Sequence, residues 1–258
     1  PSIAVRDKLA QAWMGAGQPF ESIAVLQETI QKFPDAVETR FDLAGLAALL
    51  GLETPAVESL KWLAQHNQGH PEGLVLLAHP SRLEPDIEVC QAALRNCPED
   101  RRAEYGMARM DAINRRWDQV VDRLEPVIQQ RPDFVPASAL YGRAIVELGD
   151  TERIVKWQQS LPAAIETSAL FWETAGRWAE RQGDDQAAAK AFWKAVQHDQ
   201  ANNSQTLVRL AASLEKISRA DEAKVVARRA DKIAALADTT NTFFERGSRS
   251  QTVAMQVA

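Results

Sequence analysis

Glycines that recur at one fixed spacing constrain this chain more than any other feature. Gly17 and Gly51 form one pair, and Gly149 and Gly183 form another with the same separation. Each of the four glycines separates two amphipathic stretches, as in AIVELGDTERIVKW. A glycine there ends a helix in the left-handed conformation that residues with a Cβ avoid, and an Asp or Thr just after it can cap the next helix. The spacing therefore predicts helical hairpins that repeat with a period of about 34 residues.

Prolines measure the same period independently. Pro34, Pro98 and Pro132 each close the second helix of a predicted hairpin, and the last two are separated by the same interval as the glycines. The separation of Pro34 and Pro98 falls four residues short of two periods, and the turn glycines show the same deficit. Both markers place one four-residue deletion between about residues 68 and 98. The hairpin that contains this deletion is predicted to be degenerate.

The composition is typical of an all-α soluble protein. Of the 258 residues, 45% are hydrophobic and 25% are charged, and helix-forming residue types dominate. The formal net charge is −5 and no basic stripe is present, so we expect no nucleic-acid partner. Because no apolar run approaches the length of a bilayer span, we expect no membrane insertion. A soluble protein is predicted, with the cytoplasm favoured over the periplasm.

The repeat resembles that of the tetratricopeptide family. The family pattern has large, small and aromatic residues on the first helix, a turn glycine, a small–aromatic–small set on the second helix, and a closing proline. The copy that fits best comprises Trp172, Gly176, Gly183, Ala188, Phe192 and Ala195. The resemblance implies an α-solenoid of antiparallel helix hairpins that forms a right-handed superhelix. The seven expected hairpins span 3–36, 37–68, 69–98 (degenerate), 101–134, 135–166, 169–202 and 204–237.

The sequence also departs from the family pattern. Arg115 replaces the turn glycine of the fourth hairpin, and Pro162 is expected to shorten the second helix of the fifth. Residues 238–258 are interpreted as a linker followed by the start of a further helix. We therefore expect the chain to be a fragment of a longer, bacterial protein.

Cysteines and tryptophans are expected to have structural roles. Cys90 and Cys97 are seven residues apart on one predicted helix, about 10 Å at 1.5 Å per residue, which is too far for a disulfide. Both are interpreted as small apolar residues of the core. Trp62, Trp157 and Trp193 fall on second helices, where we expect them to be half exposed.

Histidines offer the one arrangement that could bind a metal. His66, His70 and His79 lie close in sequence with Glu72 nearby, and such a set could ligate zinc. Gly69, however, interrupts the helix between the first two histidines, so a shared face is not ensured, and exposed loop histidines are favoured. The sequence lacks the glycine loops and nucleophile motifs of known enzyme classes. We predict no catalytic residue, no metal and no cofactor, with a metal-dependent enzyme as a remote alternative.

In the tetratricopeptide family the first helix of each hairpin lines a concave groove. One groove-facing position follows the small residue of the pattern, and in three consecutive hairpins it holds Arg109, Arg143 and Arg177. With about 10 Å between successive first helices, these arginines would form a ladder of about 20 Å. An extended peptide of about six residues spans that length. Because arginine suits bidentate carboxylate contacts, an acidic or C-terminal carboxylate segment is the predicted ligand.

The predicted site is completed by flanking contacts from Tyr105, Asn114, Arg181 and Glu173. A competing interpretation gives the arginines no ligand. Glu147 lies four residues after Arg143, and Glu173 lies four before Arg177, so helical i,i+4 pairs could neutralise the ladder. Both interpretations stay open from the sequence alone.

The function predicted from these features is a non-enzymatic scaffold that binds a peptide or protein segment in its concave groove. The co-chaperone subset of the family binds acidic tails with a Lys/Asn clamp, and this sequence lacks that set, so we expect no chaperone tail as partner. The alternative is a structural arm of a larger multidomain protein, whose groove holds a neighbouring domain of the same chain.

Overall fold

The computed structural model describes residues 1–69, 73, 76–77, 84–199 and 203–257, without the side chains of 240, 241 and 243–257. Within those ranges all regular structure is helical, as predicted. The helices are α1 (Ile3–Gly15), α2 (Pro19–Lys32), α3 (Val37–Leu49), α4 (Glu53–Gln65), α5 (Ile87–Asn96), α6 (Glu104–Ile113), α7 (Trp117–Gln130), α8 (Val135–Leu148), α9 (Thr151–Gln159), α10 (Ala169–Arg181), α11 (Asp185–His198), α12 (Ser204–Lys216) and α13 (Ala220–Val257). Single 3₁₀ turns span Arg101–Ala103 and Ile165–Thr167.

Consecutive helices pack as hairpins that stack on one another. The pairs are α1 with α2, α3 with α4, α6 with α7, α8 with α9, α10 with α11, and α12 with α13. The second helix of one pair packs on the first helix of the next, as α7 does on α8 and α11 on α12. First helices also contact each other directly, as α8 and α10 do. This arrangement is the α-solenoid that the period of the glycines predicts.

The turn inside each hairpin has the same backbone with or without glycine. Gly149 has φ 72°, its N–H donates to Val146 O, and the next N–H donates to Ile145 O. Arg115 has φ 56° and makes the same pair of bonds, to Ala112 O at 2.9 Å and, through the next residue, to Asp111 O at 2.9 Å. This hydrogen-bond pair is the Schellman motif, which satisfies the last carbonyls of a helix. The departure at Arg115 therefore changes the residue and not the turn.

Capping residues and prolines set the helix ends as predicted. The side chain of Asp150 accepts the N–H of Arg153, which caps α9 at its start. Each second helix that precedes a predicted closing proline ends two residues before that proline. The residue between them has left the helical conformation, with φ of −131° at Phe33. Helix α9 is only 9 residues long and ends at Gln159, consistent with the shortening expected from Pro162.

The core forms where large side chains of second helices meet small residues of first helices. A Cβ at Gly142 would overlap the ring of Trp157, and one at Gly176 would lie 2.6 Å from the ring of Phe192. Trp157 is buried, and its indole N–H donates to the carbonyl oxygen of Ser138 at 3.0 Å. The expectation that Trp157 is half exposed is therefore wrong, because the missing side chain of Gly142 leaves room for the ring. Trp193, by contrast, is 51% exposed.

Helix α6 packs against the end of α3. A Cβ at Gly106 would lie 2.5 Å from Cys90 Sγ and 3.1 Å from the carbonyl oxygen of Leu50. The backbone N–H of Asp86 donates to Leu49 O at 2.8 Å, which ties the start of α5 to the same place. The second and fourth hairpins are therefore in direct contact.

Both cysteines are free thiols in the structure. Cys90 is buried in α5, and burial raises the pKa of its thiol to about 11. Cys97 lies just after that helix and is half buried. This agrees with the structural role that the sequence predicts for Cys90 and with the absence of a bond between the two.

The C-terminal segment differs from the expected linker. Helix α13 runs without a break from Ala220 to Val257. Two threonines that could have interrupted it instead bond their hydroxyls to the preceding turn, Thr239 to Ala235 O at 2.8 Å and Thr242 to Asp238 O at 3.0 Å. Among the described helices, none is long and apolar enough to cross a membrane.

We predict that Gly142→Ala destabilises the fold by about 1–3 kcal/mol, because the added methyl group overlaps a buried indole ring that its hydrogen bond to Ser138 holds in place. Gly45→Ala is the matched control, since a Cβ at Gly45 meets nothing within 4 Å and Ala is the better helix former. Urea unfolding followed by far-ultraviolet circular dichroism measures both. Equal stability of the two variants would contradict the packing described here.

A candidate peptide-binding groove

One face of α6, α8 and α10 presents side chains that recur with the period of the repeat. The residues before the arginine positions, Gly142 and Gly176, face the second helices of their hairpins through Trp157 and Phe192. The arginine positions and those one turn earlier therefore face away from the second helices. Three rows of this face are defined as the first row (Pro136, Leu170), the middle row (Tyr105, Ala139, Glu173) and the arginine row (Arg109, Arg143, Arg177). Arg102, at the repeat-equivalent position before α6, instead contacts Glu21 and Phe20 of the first hairpin.

Glutamates hold two members of the arginine row. Arg143 contacts Glu147 on its own helix at 2.8 Å and Glu173 on α10 at 3.0 Å. Arg177 contacts Glu173 at 2.8 Å and Glu147 at 3.7 Å. Each arginine thus shares both carboxylates, and the four side chains bridge α8 and α10. Arg181 adds a third cation to this group through Glu147, at 3.2 Å, and also donates to the carbonyl oxygen of Val146.

Arg109 has different partners from the other two arginines. Its guanidinium donates to the carbonyl oxygen of Gly51 at 2.8 Å and contacts the carboxylate of Glu53 at 3.2 Å. Both partners belong to the second hairpin, which α6 contacts at Gly106. Arg109 therefore joins the arginine row to the turn between α3 and α4.

The charges of the row are nearly balanced. Arg109, Arg143, Arg177 and Arg181 carry +4, and their partners Glu53, Glu147 and Glu173 carry −3, so the sum is +1. The three row arginines are only 12–14% exposed at the side chain. The i,i+4 pairs of the competing interpretation are thus present, and ligand binding by the arginines stays a prediction.

Arg143 is the most confined of these cations. Its Nε is buried without a hydrogen-bond partner, while its terminal nitrogens contact the two glutamates. Burial lowers the pKa of this guanidinium, and the charge of Glu173 opposes that effect. The ring of Trp117 lies 6.0 Å from the guanidinium carbon. The two carboxylates therefore offset part of the cost of burying this charge.

The remaining predicted site residues differ in their placement. Tyr105 is buried in the middle row, and its ring packs edge-on against Phe134 with centroids 5.7 Å apart. Asn114 is exposed just after α6, where its side-chain amide donates to Met110 O of its own helix at 2.8 Å. The structure thus places Tyr105 on the same face as the arginine row, whereas the amide of Asn114 serves to cap its helix.

A cavity of about 280 Å³ lies over the first and middle rows. On one side it is lined by Tyr105, Pro136, Ala139 and Leu170 of those rows. On the other side it is lined by the start of α4, residues 52–57 apart from Ala56, and by His198 and Asp199 after α11. The start of α4 therefore lies across the groove, a placement that the sequence did not predict.

The pKa of Glu53 responds to charges in and around the groove. Burial raises the pKa of its carboxyl group, Arg109 opposes this effect, and the charges of Asp199 and Glu173 raise the pKa further. The start of α4 therefore lies within range of the charge of Glu173 in the middle row.

The histidines give no metal centre in the described part of the chain. Within those ranges no three His, Cys, Asp or Glu side chains are grouped to hold a metal ion. The ring of His66 stacks on Trp62 at 3.8 Å, and its Nδ1 lies 2.9 Å from Trp62 O. His70, Glu72 and His79 of the predicted set lie outside the described residues.

Comparison with known proteins identifies the fold alone. No family model matches the sequence, and no curated protein matches it. Among solved structures, the APC/C hetero-tetramer Cut9-Hcn1 matches with a TM-score of 0.54 at 15% identity, over 88% of this chain and 45% of that chain. This chain thus spans less than half the length of that protein. Weaker matches are a MamA RS-1 double mutant (TM-score 0.45, 15% identity, 69% of this chain and 94% of that chain) and the type IV pilus biogenesis factor PilW (0.42, 14%, 86% and 89%).

The fold class follows from the helix pairs and from the Cut9-Hcn1 match. The structural neighbours are tetratricopeptide-repeat proteins, and this chain is a helical solenoid of the same kind. The resemblance read from Trp172, Gly176 and Phe192 is therefore confirmed at the level of fold.

We predict that Glu173→Gln destabilises the protein by about 1–3 kcal/mol, because it removes the charge that Arg143 and Arg177 share at a largely buried position. Glu152→Gln is the matched control, because Glu152 pairs with Lys156 on an exposed surface and such pairs contribute at most about 1 kcal/mol. Thermal and urea unfolding measure both. A Glu173→Gln variant as stable as the control would show that the network does not join α8 to α10.

Proposed function

We propose that the protein is a non-enzymatic scaffold whose groove, formed by α6, α8 and α10, binds a segment of another protein. The observation that carries this proposal is the arginine row, which recurs at the repeat spacing over three consecutive first helices. An extended chain contacts equivalent positions at regular intervals, and such a face suits it. The tetratricopeptide-like fold of the neighbours is consistent with an interaction scaffold.

The proposed ligand is an acidic segment or a C-terminal carboxylate. Four arginines face three glutamates in the groove, and a guanidinium has five N–H donors, more than its present partners use. A ligand carboxylate would therefore add to, or exchange with, the contacts of Glu147 and Glu173. Because this contact is between charges, affinity should fall as salt is raised.

The second candidate is a structural arm that packs against another part of its own polypeptide. One specific observation favours it, since the start of α4 already lies in the groove and pairs Glu53 with Arg109. In this case the groove is an internal interface, and no separate acidic segment should bind to it.

We predict that a fluorescent hexaglutamate peptide binds the full chain and that Arg143→Glu/Arg177→Glu lowers its affinity at least about tenfold. Two charge-assisted contacts of about 1.5–3 kcal/mol each are lost, and about 1.4 kcal/mol corresponds to a factor of ten. Fluorescence anisotropy at two salt concentrations measures the effect, with hexalysine as the opposite-charge probe.

Arg153→Glu/Lys156→Glu is the matched control, because it changes charge equally on α9, where both side chains are exposed and pair with Asp150 and Glu152. The control should bind hexaglutamate about as well as the natural chain. Arg143→Gln/Arg177→Gln serves if the double reversal loses helicity. Undiminished, salt-independent binding by the groove variants would contradict the proposal.

A further inference from the structure

The start of α4 occupies the groove in the way that the proposed ligand would. Leu52 and Val57 are buried, and both line the cavity opposite Tyr105 and Ala139. Between them Glu53 extends its carboxylate to the first member of the arginine row. This segment thus presents apolar side chains to the cavity shared with the first and middle rows, and a carboxylate to an arginine.

Two bonds from Arg109 hold the segment in this position. The guanidinium donates to Gly51 O at 2.8 Å and contacts Glu53 at 3.2 Å, so it fixes both the turn and the first residue of α4. Its methylene group Cδ would lie 3.1 Å from a Cβ at Gly51, which makes the approach close. The arginine that begins the ligand-binding row is therefore the residue that retains the segment.

We propose that residues 51–57 are an intramolecular occupant of the groove, which a partner's acidic segment must displace before it can bind. This inference rests on the proposed function, because it describes how the same groove is regulated. It assigns Glu53 the role of a built-in ligand carboxylate and Arg109 the role of the latch.

The ion pair between Glu53 and Arg109 is accessible to a competing carboxylate. The side chain of Glu53 is 42% exposed, and the cavity of about 280 Å³ beside it leaves room between the segment and the rows. A partner carboxylate that brings its own apolar contacts would compete for Arg109 on these terms.

The latch can be tested by the accessibility of the groove floor. Ala139 is 1% exposed and lies under the segment, so Ala139→Cys should react slowly with a maleimide in the otherwise natural chain. Arg109→Ala in the same background removes both bonds to the turn, and we expect the labelling rate to rise at least about tenfold. Peptide mass spectrometry separates this label from those on the natural cysteines.

Two controls separate opening of the latch from unfolding. Ala137→Cys reports a position of α8 that is buried but does not line the cavity, so its labelling should stay slow in both backgrounds. Glu53→Gln keeps the bond from Arg109 to Gly51 O and removes only the ion pair, so it should give a smaller increase at Ala139→Cys. If Arg109→Ala accelerates labelling at both reporter positions, the same two reporters in the Glu53→Gln background decide between local opening and global unfolding.

The outcomes distinguish this inference from the proposed function. Unchanged labelling of Ala139→Cys in both the Arg109→Ala and Glu53→Gln backgrounds overturns the inference, whether or not hexaglutamate binds. Faster labelling supports it, and added hexaglutamate should then also accelerate labelling in the natural background. Because the apparent affinity scales with the open fraction, Glu53→Gln should bind hexaglutamate several-fold more tightly than the natural chain. Faster labelling without any peptide binding would support the latch and contradict the proposed ligand.

Discussion

The structure depends on the close approach of two helices at a residue that lacks a side chain. The ring of Trp157 rests on Gly142, and that of Phe192 rests on Gly176. These contacts fix the rotation of α8 and α10 about their own axes, because only one face of each helix can receive the ring. The following residue then faces the groove in both hairpins, which is why Arg143 and its repeat equivalent meet the same two glutamates. The groove face is thus a consequence of core packing.

Contact between the second and fourth hairpins places part of the chain beside the proposed groove. Helix α6 packs against Leu50, which follows α3, and Arg109 bonds to the turn at Gly51. The start of α4 then lines one side of the cavity that Tyr105 and Ala139 line on the other. The proposed scaffold function and the proposed latch both rest on this contact.

The sequence predicted local features better than contacts between distant repeats. Turn glycines, the cap at Asp150 and the helix end before Pro162 follow from the conformations those residues permit, and all were confirmed. The expectation for Trp157 was wrong because its burial depends on a Cβ that is missing from the preceding helix. The pair of Glu53 with Arg109 joins two hairpins that are not consecutive, and neither the repeat nor the spacing indicates it. The pairs of Arg143 with Glu147 and of Arg177 with Glu173 were foreseen, since i,i+4 spacing is visible in sequence, whereas the pairs that join α8 to α10 were not.

The start of α4 lines one cavity together with residues of α6, α8 and α10. Thr54 and Thr167 both line the cavity, and both are exposed, so each can be replaced by cysteine with little disturbance. A short bifunctional maleimide should then crosslink Thr54→Cys to Thr167→Cys within one chain, at a yield independent of protein concentration. Mass spectrometry identifies the linked peptides. Efficient labelling of both cysteines by single maleimides, without any intramolecular crosslink, would contradict this position of the start of α4.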